Sequence, residues 1–175
     1  GDFAASLLFE PGDVVNGDGE AYGVFTPFWK AARRHAAPRD PVAEPRSIDS
    51  WTGDATGVDL DALELLPAAY DWSGGLREAW VPGEAAARER LRKFIDERLD
   101  DYTTDRNRPA VEGSSKLSPH LKFGEISPYQ VWHAIAAADA PEEERDGFLS
   151  EIGWREFNWH LLATHPRLDA VNVHR

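Results

Sequence analysis

The stretch PEEERDGFLSEIGWREFNWHLLATHP, from Pro141 to Pro166, decides how the chain is read. Its proline and three consecutive acids suit the positive end of a helix. Phe148, Leu149, Ile152, Trp154, Phe157 and Leu161 then recur at helical spacing until His165-Pro166 ends the run. Spacings of three and four put Glu151, Trp154, Arg155 and Asn158 along one stripe, so a carboxylate, an indole, a guanidinium and an amide point the same way. The stripe has two readings. An aromatic can stack on an unstacked base while a carboxylate or amide reads its edge. Alternatively, Glu151 and Arg155 form an ordinary ion pair one turn apart and Trp154 packs in the core; from the stripe alone this plainer reading leads.

Upstream of this helix, Ser127-Pro128 with Gln130 predicts a capping box, and Ser118-Pro119 predicts a second N-cap with proline at the first helical position. Two helix starts nine residues apart require a tight corner. From Gly83 to Tyr102, Leu91, Phe94, Ile95, Leu99 and Tyr102 share one face, while Arg88, Glu89, Arg92, Lys93, Asp96 and Glu97 face away, which predicts an amphipathic helix on a helical core. Residues 81–175 are therefore all-α by pattern. Between these helices, Gly113-Ser-Ser-Lys-Leu-Ser-Pro119 leads hydroxyls and a lysine into a helix N-terminus, where unpaired N–H groups favour an anion. Read by itself, the segment is more simply a capped helix and its loop. It has the glycine spacing of neither a P-loop nor a dinucleotide fingerprint.

The first part of the chain has another character. Ala5 to Phe9 is a short apolar run closed by Glu10-Pro11-Gly12-Asp13, which predicts a strand, and Val14-Val15 suggests a shorter second one. Thr26-Pro27 predicts a helix start, with Phe28, Trp29, Ala31, Ala32 and Ala36 following until Pro38. A strand, turn and helix without a sheet look like the trailing edge of an α/β unit. From Pro38 to about Pro67, Pro, Asp, Gly and Ser dominate, as in a long interdomain linker.

Composition narrows the chemistry. With no Cys among 175 residues there is no disulfide, cysteine-based zinc site or thiol nucleophile. His120, His133, His160, His165 and His174 form no metal-binding spacing, and no Gly-x-Ser-x-Gly elbow is present, so neither a metal site nor a catalytic residue is assigned. The net charge of −12 argues against a nucleic-acid partner, but its distribution softens the objection. Residues 1–80 carry 14 acids and 6 bases, whereas Asp101 to His133 hold four of each. No run of about 18 apolar residues and no secretory leader is visible, which predicts a soluble, cytoplasmic protein with no membrane partner. The chain opens Gly1-Asp2-Phe3 and contains no Met, which reads as a piece of something longer.

Three runs, taken in order and spacing, change the weighting. Tyr102 with Arg106-Asn107-Arg108-Pro109, then Gly113-Ser-Ser-Lys-Leu-Ser-Pro-His-Leu-Lys-Phe-Gly-Glu-Ile-Ser-Pro128, then Phe148-Leu-Ser-Glu-Ile-Gly-Trp-Arg-Glu-Phe157 resemble the DNA photolyase and cryptochrome family. The similarity spans Gly83 to Arg175. A shorter run, Gly23-Val-Phe-Thr-Pro-Phe-Trp29, resembles the end of that family's antenna domain. The resemblance implies a mainly α chain. Residues 1–37 would close an α/β antenna domain with a strand and helix, 38–80 would be the interdomain linker, and 81–175 the first part of an all-helical FAD-binding domain.

By resemblance, Tyr102 and Ser114, Ser115, Lys116, Leu117 and Ser118 hold the phosphates of FAD, Phe148 supplies an aromatic wall and Arg155 a fixed positive charge. Glu151 and Trp154 meet a pyrimidine dimer flipped out of UV-damaged DNA. The implied activity is light-driven repair of cyclobutane dimers by electron transfer from reduced FAD, in a protein that is monomeric at full length. A second chromophore of folate or deazaflavin type is also implied. The alternatives are a cryptochrome photoreceptor and a non-catalytic helical interaction domain. Ser114 and Lys116 stand where the family often has Thr and Arg, and Phe148 where relatives can have Trp. The family's flavin-ring Asp and Asn and its electron-carrying tryptophans would lie beyond Val171-Asn-Val-His-Arg175, so this piece alone is expected neither to hold FAD tightly nor to repair DNA.

Overall fold

The computed structural model describes residues 5–35, 37–53, 57–66 and 70–171. Ala36, Pro67 and His174, named above, lie outside them. Among the described residues the structure is helical: α1 Phe25–His35, α2 Gly74–Ala79, α3 Glu84–Arg98, α4 Tyr102–Asp105, α5 Ser118–Lys122, α6 Pro128–Ala136 and α7 Glu142–Thr164, with short 3-10 turns at Asp61–Leu63 and Leu99–Asp101. None of these helices is long and apolar enough to cross a membrane.

The chain divides into two compact units, Gly1–Pro41 with Gly83–Arg175, and Val42–Pro82. In the second, Asp71 accepts hydrogen bonds from the Ser73 backbone at 3.0 Å and hydroxyl at 2.6 Å and pairs with Arg77. Trp51, Tyr70 and Trp72 stand exposed.

In the first unit α7 is the central element, with α1, α4 and α6 packed against it. Its acids Glu142, Glu143 and Glu144 occupy the first turn, as expected, and Phe148, Leu149, Ile152 and Phe157 are buried. Phe28 of α1, Leu91 and Phe94 of α3, and Val131 and Ile135 of α6 complete the core. Full burial of each such side chain stabilises by roughly 1.5–3 kcal/mol. Polar ties fix the register. Glu144 accepts the Thr103 N–H at 2.6 Å and its hydroxyl at 2.7 Å, and Arg33 of α1 reaches Asp146 at 2.8 Å. The predicted capping box is present: Ser127 Oγ accepts the Gln130 N–H at 3.2 Å, and Gln130 Oε1 accepts the Ser127 N–H at 2.9 Å.

Four local expectations are corrected. The run Ala5 to Phe9 forms no strand, because the Leu8 and Phe9 N–H groups donate to Glu156 Oε2 rather than to a neighbouring strand. Val15 makes only an isolated antiparallel bridge with Ala21. Ser118 is not an N-cap: Leu117 occupies that position, already helical, and α5 begins at Ser118 without a side-chain cap. The helix from Gly83 ends at Arg98, and Tyr102 opens the separate short helix α4.

Glycine at position 153 explains how α1 approaches α7. A Cβ built there would lie 2.6 Å from Trp29 Cε3, so the indole rests directly on the helix backbone. Glycine costs a helix interior about 1 kcal/mol relative to alanine, and here it permits that contact.

Candidate functional site

A second close approach builds the site. A Cβ on Gly113 would lie 2.4 Å from the Asp105 carbonyl carbon, so only glycine lets this strand of chain run against α4. The following loop, Ser114 to Ser118, is thereby brought alongside Tyr102. It turns at Lys116, whose φ of 53° is left-handed and uncommon for a residue with a long side chain. Leu117 is buried beneath the loop and anchors it.

The loop forms one wall of a cavity of about 750 Å³. Tyr102, Phe148, Glu151, Ile152, Arg155 and Trp159 line it from α4 and α7, and Ile126 and Pro128 from the start of α6. The lining thus combines serine hydroxyls, a phenol, a guanidinium and a carboxylate with apolar surface.

Electrostatics distinguish these groups. Burial pushes the Tyr102 hydroxyl up to about 12, against the pull of the Arg106 guanidinium and with a smaller push from Glu151, so it remains a proton donor at neutral pH. The Lys116 ammonium sits 2.5 Å from Glu112 Oε1 and, by that hydrogen bond, holds the Glu112 carboxyl below its usual range. Lys116 therefore offers the cavity its backbone more than a free charge. Arg155 Nη1 donates to Glu156 Oε1 at 3.2 Å. Glu151 Oε1 is paired with Arg106, and that hydrogen bond raises the arginine pKa further.

The ion pair between Glu151 and Arg155 suggested by their spacing is not made, since each has found another partner. Of the ten candidate residues, Tyr102, Ser114, Ser115, Lys116, Leu117, Ser118, Phe148, Glu151 and Arg155 line the cavity. Trp154 does not. Its indole turns toward α1 and stacks on Phe25, ring centroids 3.8 Å apart and planes 12° from parallel, with 42% of its surface exposed. Asn158 is exposed and is likewise not on the cavity wall.

A DNA photolyase family profile matches residues 1–46. A deoxyribodipyrimidine photo-lyase of Agrobacterium fabrum is 38% identical over 172 residues, covering 97% of this chain and 36% of that protein. The crystal structure of a bacterial class III photolyase from Agrobacterium tumefaciens superposes with a TM-score of 0.91 at 38% identity, again over 97% of this chain and 36% of that one. The chain belongs to the DNA photolyase and cryptochrome family. Cryptochrome-1 of Arabidopsis thaliana is more distant, 31% identical over 94% of this chain and 25% of its own length. This photolyase-family chain spans about a third of the length of the photolyases it matches.

Sequence reasoning left three residues of this family member's site without a role. Trp159 lies one turn beyond Arg155 on the same side, and the i, i+4, i+8 spacing from Glu151 was the signal that marked it. Arg106 lies in the run Arg106-Asn107-Arg108-Pro109, but nothing in spacing ties it to Glu151, 45 residues away. Glu156 looks like one more charge on a helix, yet it is fully buried.

Proposed function

We propose that the protein carrying this chain is a photolyase that uses light and FAD to split cyclobutane pyrimidine dimers in DNA. The observation that carries the reading is the convergence of nine candidate residues, drawn from three separated runs of sequence, on one cavity wall. A volume of about 750 Å³ falls within the roughly 300–1,000 Å³ usual for organic ligand sites.

The donor set fits a dinucleotide. Ser114, Ser115 and Ser118 contribute hydroxyls and their loop contributes backbone N–H groups, which suit phosphate oxygens. The Tyr102 phenol keeps its proton and donates. Arg155 spends one N–H on Glu156 and retains the rest of its fork for the cavity side. Phe148 gives a flat apolar wall. FAD, when bound in its reduced form, supplies the light-excited electron that opens the cyclobutane ring and takes that electron back.

The chain's own residues bind and orient. Glu151 has one oxygen committed to Arg106, which leaves the other to accept a hydrogen bond from a base edge. Trp154 presents an indole on which the extruded dimer stacks, and a dimer leaves the helix more readily than a sound base pair. Because Glu151, Trp154 and Arg155 share α7, one helix faces both ligands.

In this reading residues 1–37 close the antenna domain, 38–80 connect the domains and 81–175 begin the FAD domain. The full protein acts as a cytoplasmic monomer with a second chromophore of folate or deazaflavin type. Expression of the full-length gene product tests the proposal: flavin absorbance together with blue-light-dependent loss of thymine dimers from irradiated oligonucleotides is expected. Flavin without repair would point to a cryptochrome, and absence of flavin would overturn both.

A further inference from the structure

The run Gly23-Val-Phe-Thr-Pro-Phe-Trp29 has no role in the reaction as described, yet its first aromatic residue covers one face of Trp154. We propose that Phe25 is a positioning residue that fixes the Trp154 indole in the orientation in which it receives the extruded dimer. The proposal rests on the substrate role given to Trp154 above.

The geometry is that of a braced stack. Phe25 lies 3.8 Å from Trp154, with the planes 12° apart, and Trp29 lies near-parallel to Phe25 at 6.2 Å and 14°. Phe157 meets both members of the close pair edge-on, 6.0 Å from Phe25 and 5.9 Å from Trp154. Trp29 is fixed in turn by the missing Cβ of Gly153 and by the edge of Trp132 at 5.9 Å. Phe25 is therefore packed against Trp29 and Phe157 as well, while one of its faces meets the indole.

Trp154 needs such a partner. Along α7 itself, Ser150 and Asn158 are polar and carry no aromatic ring, and Phe157 meets the indole edge-on and leaves its faces uncovered. An indole left half-exposed on a helix samples several rotamers, and ordering it on binding weakens affinity. Phe25 selects one rotamer in advance. It covers one face and leaves part of the indole open to solvent, so a dimer can extend the series of rings. Gly153 belongs to the same arrangement, because it sets the distance between α1 and α7.

The test uses the full-length, flavin-loaded protein and measures binding to dimer-containing and undamaged oligonucleotides, flavin content and Tm. Phe25→Leu keeps the apolar volume and removes the flat face; dimer binding is expected to weaken roughly three- to tenfold, the range set by an aromatic pair. Flavin content and affinity for undamaged DNA should hold, and Phe25→Tyr should restore dimer binding. In a Trp154→Ala background, Phe25→Leu should add nothing. If Trp154→Ala weakens dimer binding but Phe25→Leu does not, or if the two losses multiply, the positioning role is overturned while the role of Trp154 stands. If Trp154→Ala leaves dimer binding unchanged, both fall. Equal loss of flavin and of Tm in both Phe25→Leu and Phe25→Tyr would make the contact structural only and overturn the proposal.

Discussion

Glu156 Oε2 accepts the Leu8 backbone N–H at 2.7 Å across 148 residues of sequence, and the Phe9 N–H at 3.3 Å. His160, one turn further along α7, donates to the Phe9 carbonyl at 3.2 Å. Two helix side chains thus perform the pairing that a neighbouring strand would otherwise provide. Burial pushes the Glu156 carboxyl up to about 7, although the two N–H donors and Arg155 pull it down. The folded state therefore holds a proton that the unfolded chain releases above 4.5, so this group's contribution is fully present below that pH and is lost between 4.5 and about 7. Urea denaturation across this window should show a decline on the order of 3 kcal/mol, absent in Glu156→Gln. Glu156→Ala, which strands both N–H groups, should cost about 2–5 kcal/mol.

Arg155 and Trp154 are adjacent in sequence but face different surroundings, and their variants should separate accordingly. Trp154→Ala in the full-length protein should weaken binding to dimer-containing DNA about tenfold with flavin content nearly intact. Arg155→Ala should do the reverse. Because Arg155 also holds Glu156 Oε1, its loss should lower Tm as well, and Arg155→Lys, which keeps the charge but not the planar fork, should recover part of the flavin. Loss of stability alone in both variants would return the stripe to the core.

Gly153→Ala places a methyl group within 2.6 Å of an indole that is also packed edge-on with Trp132. The gain in helix propensity is outweighed by overpacking, and a net loss of about 1–3 kcal/mol is expected. Chemical denaturation measures it; an increase in stability would mean that α1 moves freely.

The Arg106–Glu151 pair is about a third exposed on each side, 32% and 36%. A double-mutant cycle with Arg106→Ala and Glu151→Gln should return a coupling of about 0.2–1 kcal/mol that shrinks in 1 M salt. A larger, salt-insensitive value would mean that the pair is shielded from water.

What could be read from the sequence was local. The periodicity of Leu91 and Phe94, the Ser127–Gln130 box and the acidic start of α7 each depend on neighbours a few residues away, and each is present as expected. The strand expected at Ala5 to Phe9 failed because its hydrogen-bond partner is a side chain at the far end of the chain. Ser118 gave up its predicted cap because Leu117, which follows the left-handed turn at Lys116, is already helical and takes the cap position. The helical stripe correctly grouped Glu151 with Arg155, but it could not know that a ring from α1 would draw Trp154 aside.

Helix α7 holds Thr103 through Glu144, faces the cavity through Glu151 and Arg155, and binds the Leu8–Phe9 backbone through Glu156. All are indexed to a single screw axis, and each residue inserted would rotate everything beyond it by about 100°. An insertion or deletion between Phe148 and Glu151 would therefore break the far attachments together while the near one held. Lineages carrying this helix should keep its length even where its exposed side chains vary, and gaps should fall before Glu142 or after Thr164.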